Sequence, residues 1–134
     1  MMDKYEYAVR GAKIFCECGS HVRRLNLPQS HGAFVNDKPM MNEADCVPEV
    51  NISSFGTCDS PENQSGETVY LISMEGKEIQ GKPCKFALLD GSKWEKTKEQ
   101  AKVDGKPALT TESELHCSLG GTIRFNSSGQ QETD

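Results

Sequence analysis

Glycine, proline, serine, threonine, asparagine and aspartate recur along the whole of this sequence, so few stretches can hold an apolar stripe at helical spacing. Long core helices are hard to build from such a chain, and a mainly β fold of short strands and loops is the expected class. At 134 residues there is room for one domain. Only 35% of those residues are hydrophobic. Ordering each residue costs roughly 1–2 kcal/mol of backbone entropy, and a body with so lean an interior gains from a covalent or metal staple. Six cysteines could supply one.

Net charge is −5, and the lysines and arginines are interspersed with acidic residues rather than gathered in one stretch. Nucleic acid is therefore not an expected partner. Residues 1–7 lack the uninterrupted apolar run of a signal peptide, and no later stretch is apolar enough to span a bilayer. The expectation is a chain made in the cytoplasm that leaves the cell, if it does, through a machine other than the general secretory route.

Apolar alternation through Tyr7, Val9, Ala12, Ile14 and Phe15 predicts a strand that stops at the turn-forming residues 16–20. A second strand is expected over 22–27, closed by Pro28, and 33–35 leads into the turn signal Asn36-Asp37. Residues 59–66 read as an exposed loop. Residues 69–72 recover strand character before a charged turn at 75–78, whereas 93–102 suits a helix or an edge strand equally. A last alternation over 115–125 gives way to polar residues, which sets the expected division at 7–125 for the domain and 126–134 for a polar tail.

Two internal echoes organise the chain. Val35-Asn36-Asp37-Lys38-Pro39-Met40-Met41-Asn42 is matched position by position by Val103-Asp104-Gly105-Lys106-Pro107-Ala108-Leu109-Thr110. Ile14-Phe15-Cys16-Glu17-Cys18-Gly19-Ser20 is matched by Leu115-His116-Cys117-Ser118-Leu119-Gly120-Gly121. Both ends of the chain thus repeat one small strand-and-turn construction, as expected where such a unit wraps around a common axis.

Clustered cysteines in a cytosolically made chain point to metal ligation or burial before a disulfide framework. Zinc takes four ligands in a tetrahedron, and thiolates from separate loops can meet there without a large core. Cys16 and Cys117 hold equivalent places in the second echo, Cys58 follows Phe55-Gly56-Thr57, and Cys84 follows Lys82-Pro83, so all four sit where strands pass into turns. Cys18 and Cys46 lack such counterparts and stay open as ligands, disulfide partners or free thiols. Inert burial is the alternative for all six. His116 precedes Cys117 on a strand and faces the other way, while His21 and His31 lie in turn-rich segments. A Cys-His dyad with an orienting acid is not singled out, and no phosphate-binding glycine loop, His-Glu-x-x-His or serine-nucleophile elbow is present. No enzyme is expected.

The run from Val9 to Cys16, Lys38-Pro39-Met40-Met41-Asn42 with Asp45, Asn51-Ile52 with Phe55-Gly56-Thr57-Cys58, and Gly105-Lys106-Pro107-Ala108-Leu109-Thr110 through Cys117-Ser118-Leu119-Gly120-Gly121-Thr122-Ile123 together resemble the PAAR-like proteins. That group is a domain of unknown function related to the PAAR-repeat spike tips of contractile injection systems. The resemblance runs from about Tyr7 to Phe125. It implies a small conical β-fold whose base docks on a trimeric spike, of the VgrG or phage baseplate-hub kind, and whose apex leads penetration of a membrane. It also implies a metal near the apex, held in related tips by histidines and a cysteine. Here the matching positions are Cys16, Cys58, Cys84 and Cys117, so a structural zinc on four thiolates is the expectation. A spike-facing base needs apolar side chains, and Met40, Met41, Ile52 and Phe55 are the candidates, with core packing as the alternative for each. The expected role is a structural tip that caps the spike and links effector cargo. The alternative is a free-standing cytosolic zinc-binding or thiol redox module.

Overall fold

The computed structural model describes residues 5–130. Period-two alternation shapes its first strand: β1 (Lys13–Cys16) turns Ile14 and Cys16 inward and leaves Lys13 and Phe15 half-buried. The last strand, β10 (Thr122–Phe125), pairs with it antiparallel in the register Ile14↔Phe125, Phe15↔Arg124 and Cys16↔Ile123. The two ends of the domain therefore share one sheet. β2 (Arg23–Arg24) and β9 (Leu115–His116) extend it to the order β2-β1-β10-β9, and Leu115 joins Ile14 and Ile123 beneath it.

The first echo folds as a repeated hairpin. β3 (Phe34–Val35) and β4 (Lys38–Pro39) are joined by Asn36 and Asp37 at φ 49 and 63. β7 (Lys98–Val103) and β8 (Lys106–Ala108) are joined by Asp104 and Gly105 at φ 53 and 81. Two successive left-handed residues give the turn whose twist matches that of the flanking strands. Each hairpin runs into a side-chain-closed turn. The N–H of Asn42 donates to Asp45 Oδ2 (2.8 Å), and that of Thr110 donates to Ser113 Oγ (3.1 Å). The two units lie against each other: Leu109 N–H donates to the Met41 carbonyl (3.0 Å), and Asn42 Nδ2 donates to that of Val103 (3.0 Å). A third hairpin, β5 (Val69–Ile72) with β6 (Glu78–Gly81), stands as its own two-stranded sheet.

Among the described residues there is no helix, so none is long and apolar enough to cross a membrane. Residues 98–103, within the stretch of double reading, form β7, while Trp94 sits in the core with Nε1 donating to the Asp45 carbonyl (3.0 Å). The strand expected over 22–27 shrinks to Arg23–Arg24, because Leu25 and Leu27 turn into the interior and the Asn26 N–H pairs instead with the Asn51 carbonyl. Within the loop at 59–66, Ser60 and Asn63 are buried and hydrogen-bonded. Beyond Phe125 the chain stays in the body as far as Gln130. Val9 N–H donates to the Ser128 carbonyl (3.0 Å), and Gln130 Nε2 donates to that of Tyr7 (2.7 Å).

The core gathers Trp94, Phe55, Ile14, Leu25, Met41, Ile52, Leu109, Leu115 and Ile123. Trp94 stacks at a tilt on Phe125 with centroids 5.1 Å apart, and Phe55 meets Phe86 edge-on at 6.2 Å. Three of the four apolar residues expected on the spike-facing base are thus interior: Met41, Ile52 and Phe55 are at most 1% exposed, and Met40 is half-buried. Their side chains are already committed to packing within the chain.

Candidate functional site

Four segments converge at one end of the main sheet, and each carries cysteine. β1 and β9 flank β10 and run opposite to it, so the turns that follow them lie together where β10 begins. Both turns close the same way. Gly19 N–H donates to the Cys16 carbonyl (2.9 Å), and Gly120 N–H donates to that of Cys117 (2.9 Å). This is the second echo realised in space.

Residues 56–60 lie between the first turn and a fourth segment, 82–84. Gly19 bridges Cys58 and Thr57 bridges Pro83, both antiparallel. Asp59 N–H donates to the Cys18 carbonyl (3.0 Å), Cys58 N–H to that of Lys82 (2.9 Å) and Cys84 N–H to that of Gly56 (2.8 Å). Close approach explains why Gly19 lacks a side chain, since a Cβ there would stand 2.6 Å from the Cβ of Phe55. The hydroxyl of Ser60 donates to the Leu119 carbonyl and ties this strip to the second turn. At Gly121 a Cβ would stand 2.6 Å from Cys16 Sγ and 3.6 Å from Cys18 Sγ, so both sulfurs face the backbone of the residue before β10.

All six cysteines are free thiols. Cys16 and Cys58 are buried, and Cys18, Cys84 and Cys117 are half-buried against the core. Burial pushes the Cys16 thiol up to about 11, and negative charge on Cys18, Cys117 or Cys84 would push it further, although a backbone hydrogen bond at Cys18 works the other way. Cys18 is raised by burial and then by the charges of Asp59, Cys58 and Glu17. Cys84 is raised by burial, with Cys58 and Cys117 adding to it. Burial and nearby negative charge thus oppose ionisation of Cys16, Cys18 and Cys84. The four expected from the sequence, Cys16, Cys58, Cys84 and Cys117, belong to this gathering. Cys18 belongs to it as well, although its place in the second echo is taken by Leu119 in the other copy. Cys46 does not: it lies beside Asp45 and Trp94, with its sulfur 3.8 Å from the Ser92 carbonyl.

In kind, an array of soft thiols suits a thiophilic ion. Among the described residues no set of three or more His, Cys, Asp or Glu side chains is already drawn together around one point that could hold a metal ion. The histidines are engaged elsewhere. His21 donates from Nε2 to the Ile72 carbonyl (2.8 Å) and accepts from Ser20 Oγ at Nδ1 (2.7 Å). His31 contacts Asp45 Oδ2 at 2.9 Å, and His116 is exposed beside Glu95 at 3.3 Å.

No curated protein and no solved structure matches the chain. A family model does, that of a domain of unknown function (DUF4280), over residues 8–130. The matched span takes in all ten strands of the described residues and all six cysteines, from the segment that pairs with Leu109 to the one that pairs with Tyr7. The repeated turns, the shared terminal sheet and the thiol cluster all fall inside that one match, and the chain belongs to the DUF4280 family.

Proposed function

We propose that this chain is a structural tip protein that caps the trimeric spike of a bacterial contractile injection system, of the type VI secretion or phage-tail-like kind. The ordered motifs that resemble PAAR-like tips motivate the reading. One structural observation carries it: the same hairpin-and-turn unit occurs twice, at 35–45 and 103–113, and the copies lie side by side. A body built from two like units laid side by side suits a seat on a partner that is itself built by repetition. On this reading the fold tapers from a spike-binding base to an apex and can carry effector cargo. It performs no catalysis. It is made in the cytoplasm, leaves with the spike and meets the membrane only in passing. With Met41, Ile52 and Phe55 spent on the core, Met40 is the one apolar residue of the expected base that keeps accessible surface.

The zinc staple on Cys16, Cys58, Cys84 and Cys117 is a separable part of the proposal. Zinc bound by four protein thiolates is structural and leaves no open position for water. Metal analysis of the purified chain and of Cys58→Ser checks it: zinc in the first and less in the second supports the site, and equal, near-zero zinc in both removes it.

Co-expression with candidate spike trimers tests the tip reading. The expected result is co-elution that is lost when the blunt end of the spike is deleted. A folded chain that co-elutes with no trimer would sink the reading. The convergence of five thiols favours one second reading, a free-standing cytosolic zinc-binding or thiol redox module, and that outcome would promote it.

A further inference from the structure

We infer that Cys16 and Cys18 are an oxidisable pair, whose sulfurs join in a disulfide across the turn after β1 when the chain meets a disulfide-class oxidant. Both sulfurs face one point, the side-chain-free backbone of Gly121, at 2.6 and 3.6 Å from the position of a Cβ there. The turn over 16–19 is closed by the Gly19 N–H donating to the Cys16 carbonyl (2.9 Å), which keeps Cys16 and Cys18 on one tight bend. A disulfide needs the two side chains to converge, and the approach of both sulfurs to Gly121 is the convergence the structure shows. The other copy of this turn has Leu119 where the first has Cys18, so the second thiol is a feature of one copy and not of the repeated construction. Cys18 is half-buried and reachable, while Cys16 lies behind it in the core.

The chemistry follows from that order. The sulfur of Cys18 attacks one sulfur of a small disulfide such as oxidised glutathione, whose S–S bond breaks and expels one thiol that carries off a proton. The sulfur of Cys16 then attacks Cys18 Sγ, forming the Cys16–Cys18 bond and expelling the second small thiol with the second proton. The protein loses two hydrogens and two electrons, and the oxidant gains both. Closure removes Cys16 from any set of thiolates a metal ion could use, so oxidation and metal loading are alternative fates of this end of the fold. The inference does not rest on the spike reading, and its test needs no spike.

The full chain, reduced and then exposed while folded to oxidised glutathione, provides that test. Trypsin cuts after Lys13 and Arg23, so one peptide, residues 14–23, holds Cys16 and Cys18 and no other cysteine. The expected result is that this peptide loses two hydrogens in mass. In denaturant, the alkylatable thiols of the whole chain fall by two from the six it contains. Cys18→Ser should abolish the closed peptide, and Cys46→Ser should keep it. The mapping on the unmodified chain stands whether or not either variant folds. A glutathione adduct that never closes, a crosslink to Cys58, Cys84 or Cys117 in place of the closed peptide, or six thiols still alkylatable would each overturn the inference.

Discussion

Replacing Gly121 by alanine puts a methyl carbon 2.6 Å from Cys16 Sγ, where an ordinary contact begins at 3.4 Å. The backbone of Gly121 is outside the left-handed region, so alanine meets no left-handed strain there and the cost is read from the contact. Neither partner has room to yield. Cys16 is 7% exposed at the end of a strand paired with β10, and Cys18 closes the other side with its Cβ at 3.7 Å. Overpacking of this kind costs about 1–3 kcal/mol. At roughly 3–5 °C per kcal/mol for a domain of this size, Tm should fall by about 3–15 °C. Removing the sulfur should remove the cost. In a Cys16→Ala background the nearest of the remaining contacts is Cys18 Sγ at 3.6 Å, and the added methyl should then cost less than about 0.5 kcal/mol. Thermal and urea unfolding followed through Trp94, the single tryptophan, reads all four proteins of the cycle. An equal loss in both backgrounds, or none in the first, would refute the packing of Gly121 against Cys16 and with it the convergence of the thiol segments.

Trp94→Phe should destabilise by about 1–3 kcal/mol, because the buried Asp45 carbonyl loses its indole partner; urea titration followed by circular dichroism measures it. Asp37→Gly should raise stability by a few tenths to about 1 kcal/mol, since Asp37 holds φ 63 where the matching hairpin has Gly105; an unchanged or lower Tm would contradict the shared turn geometry. The buried Cys46 thiol is pushed from 9.0 up to about 11, first by desolvation and then by Asp45. The unfolded thiol ionises first, so its contribution is intact below about pH 9 and is lost as pH rises toward about 11. Cys16, also raised to about 11, adds in the same direction. The urea midpoint should fall across that window, and by less in Cys46→Ala.

The fold was legible wherever local chemistry dictates geometry. Asn36-Asp37 and Asp104-Gly105 are residue pairs that tolerate left-handed backbone, so both turns could be read directly, although not the strand that leads into the second. The paired turns at Cys16 and Cys117 were legible as an echo, and the structure adds that β10 lies between their strands and brings them to one end. What sequence could not show is which face of a short apolar segment looks inward. Ile52 and Phe55 lie between turn residues with no sustained period, and a base and a core call for the same side chains. Cys18 stayed open for a related reason: reading by repetition gives no place to a residue that only one copy has. A signal was present in Gly121, a second glycine that the turn over 117–120 does not need for its own closure and that marks a close approach by another group. Residues 93–102 stayed ambiguous because the composition suits helix and edge strand alike, and the choice is settled by pairing with β8, a contact between segments.

Native mass spectrometry of the chain mixed with a spike trimer puts the tip assignment to its most direct test. One copy per three spike chains is the predicted stoichiometry, since the proposed cap would have a single seat on a threefold axis. Three copies per trimer, or spectra containing only the separate components, would contradict it.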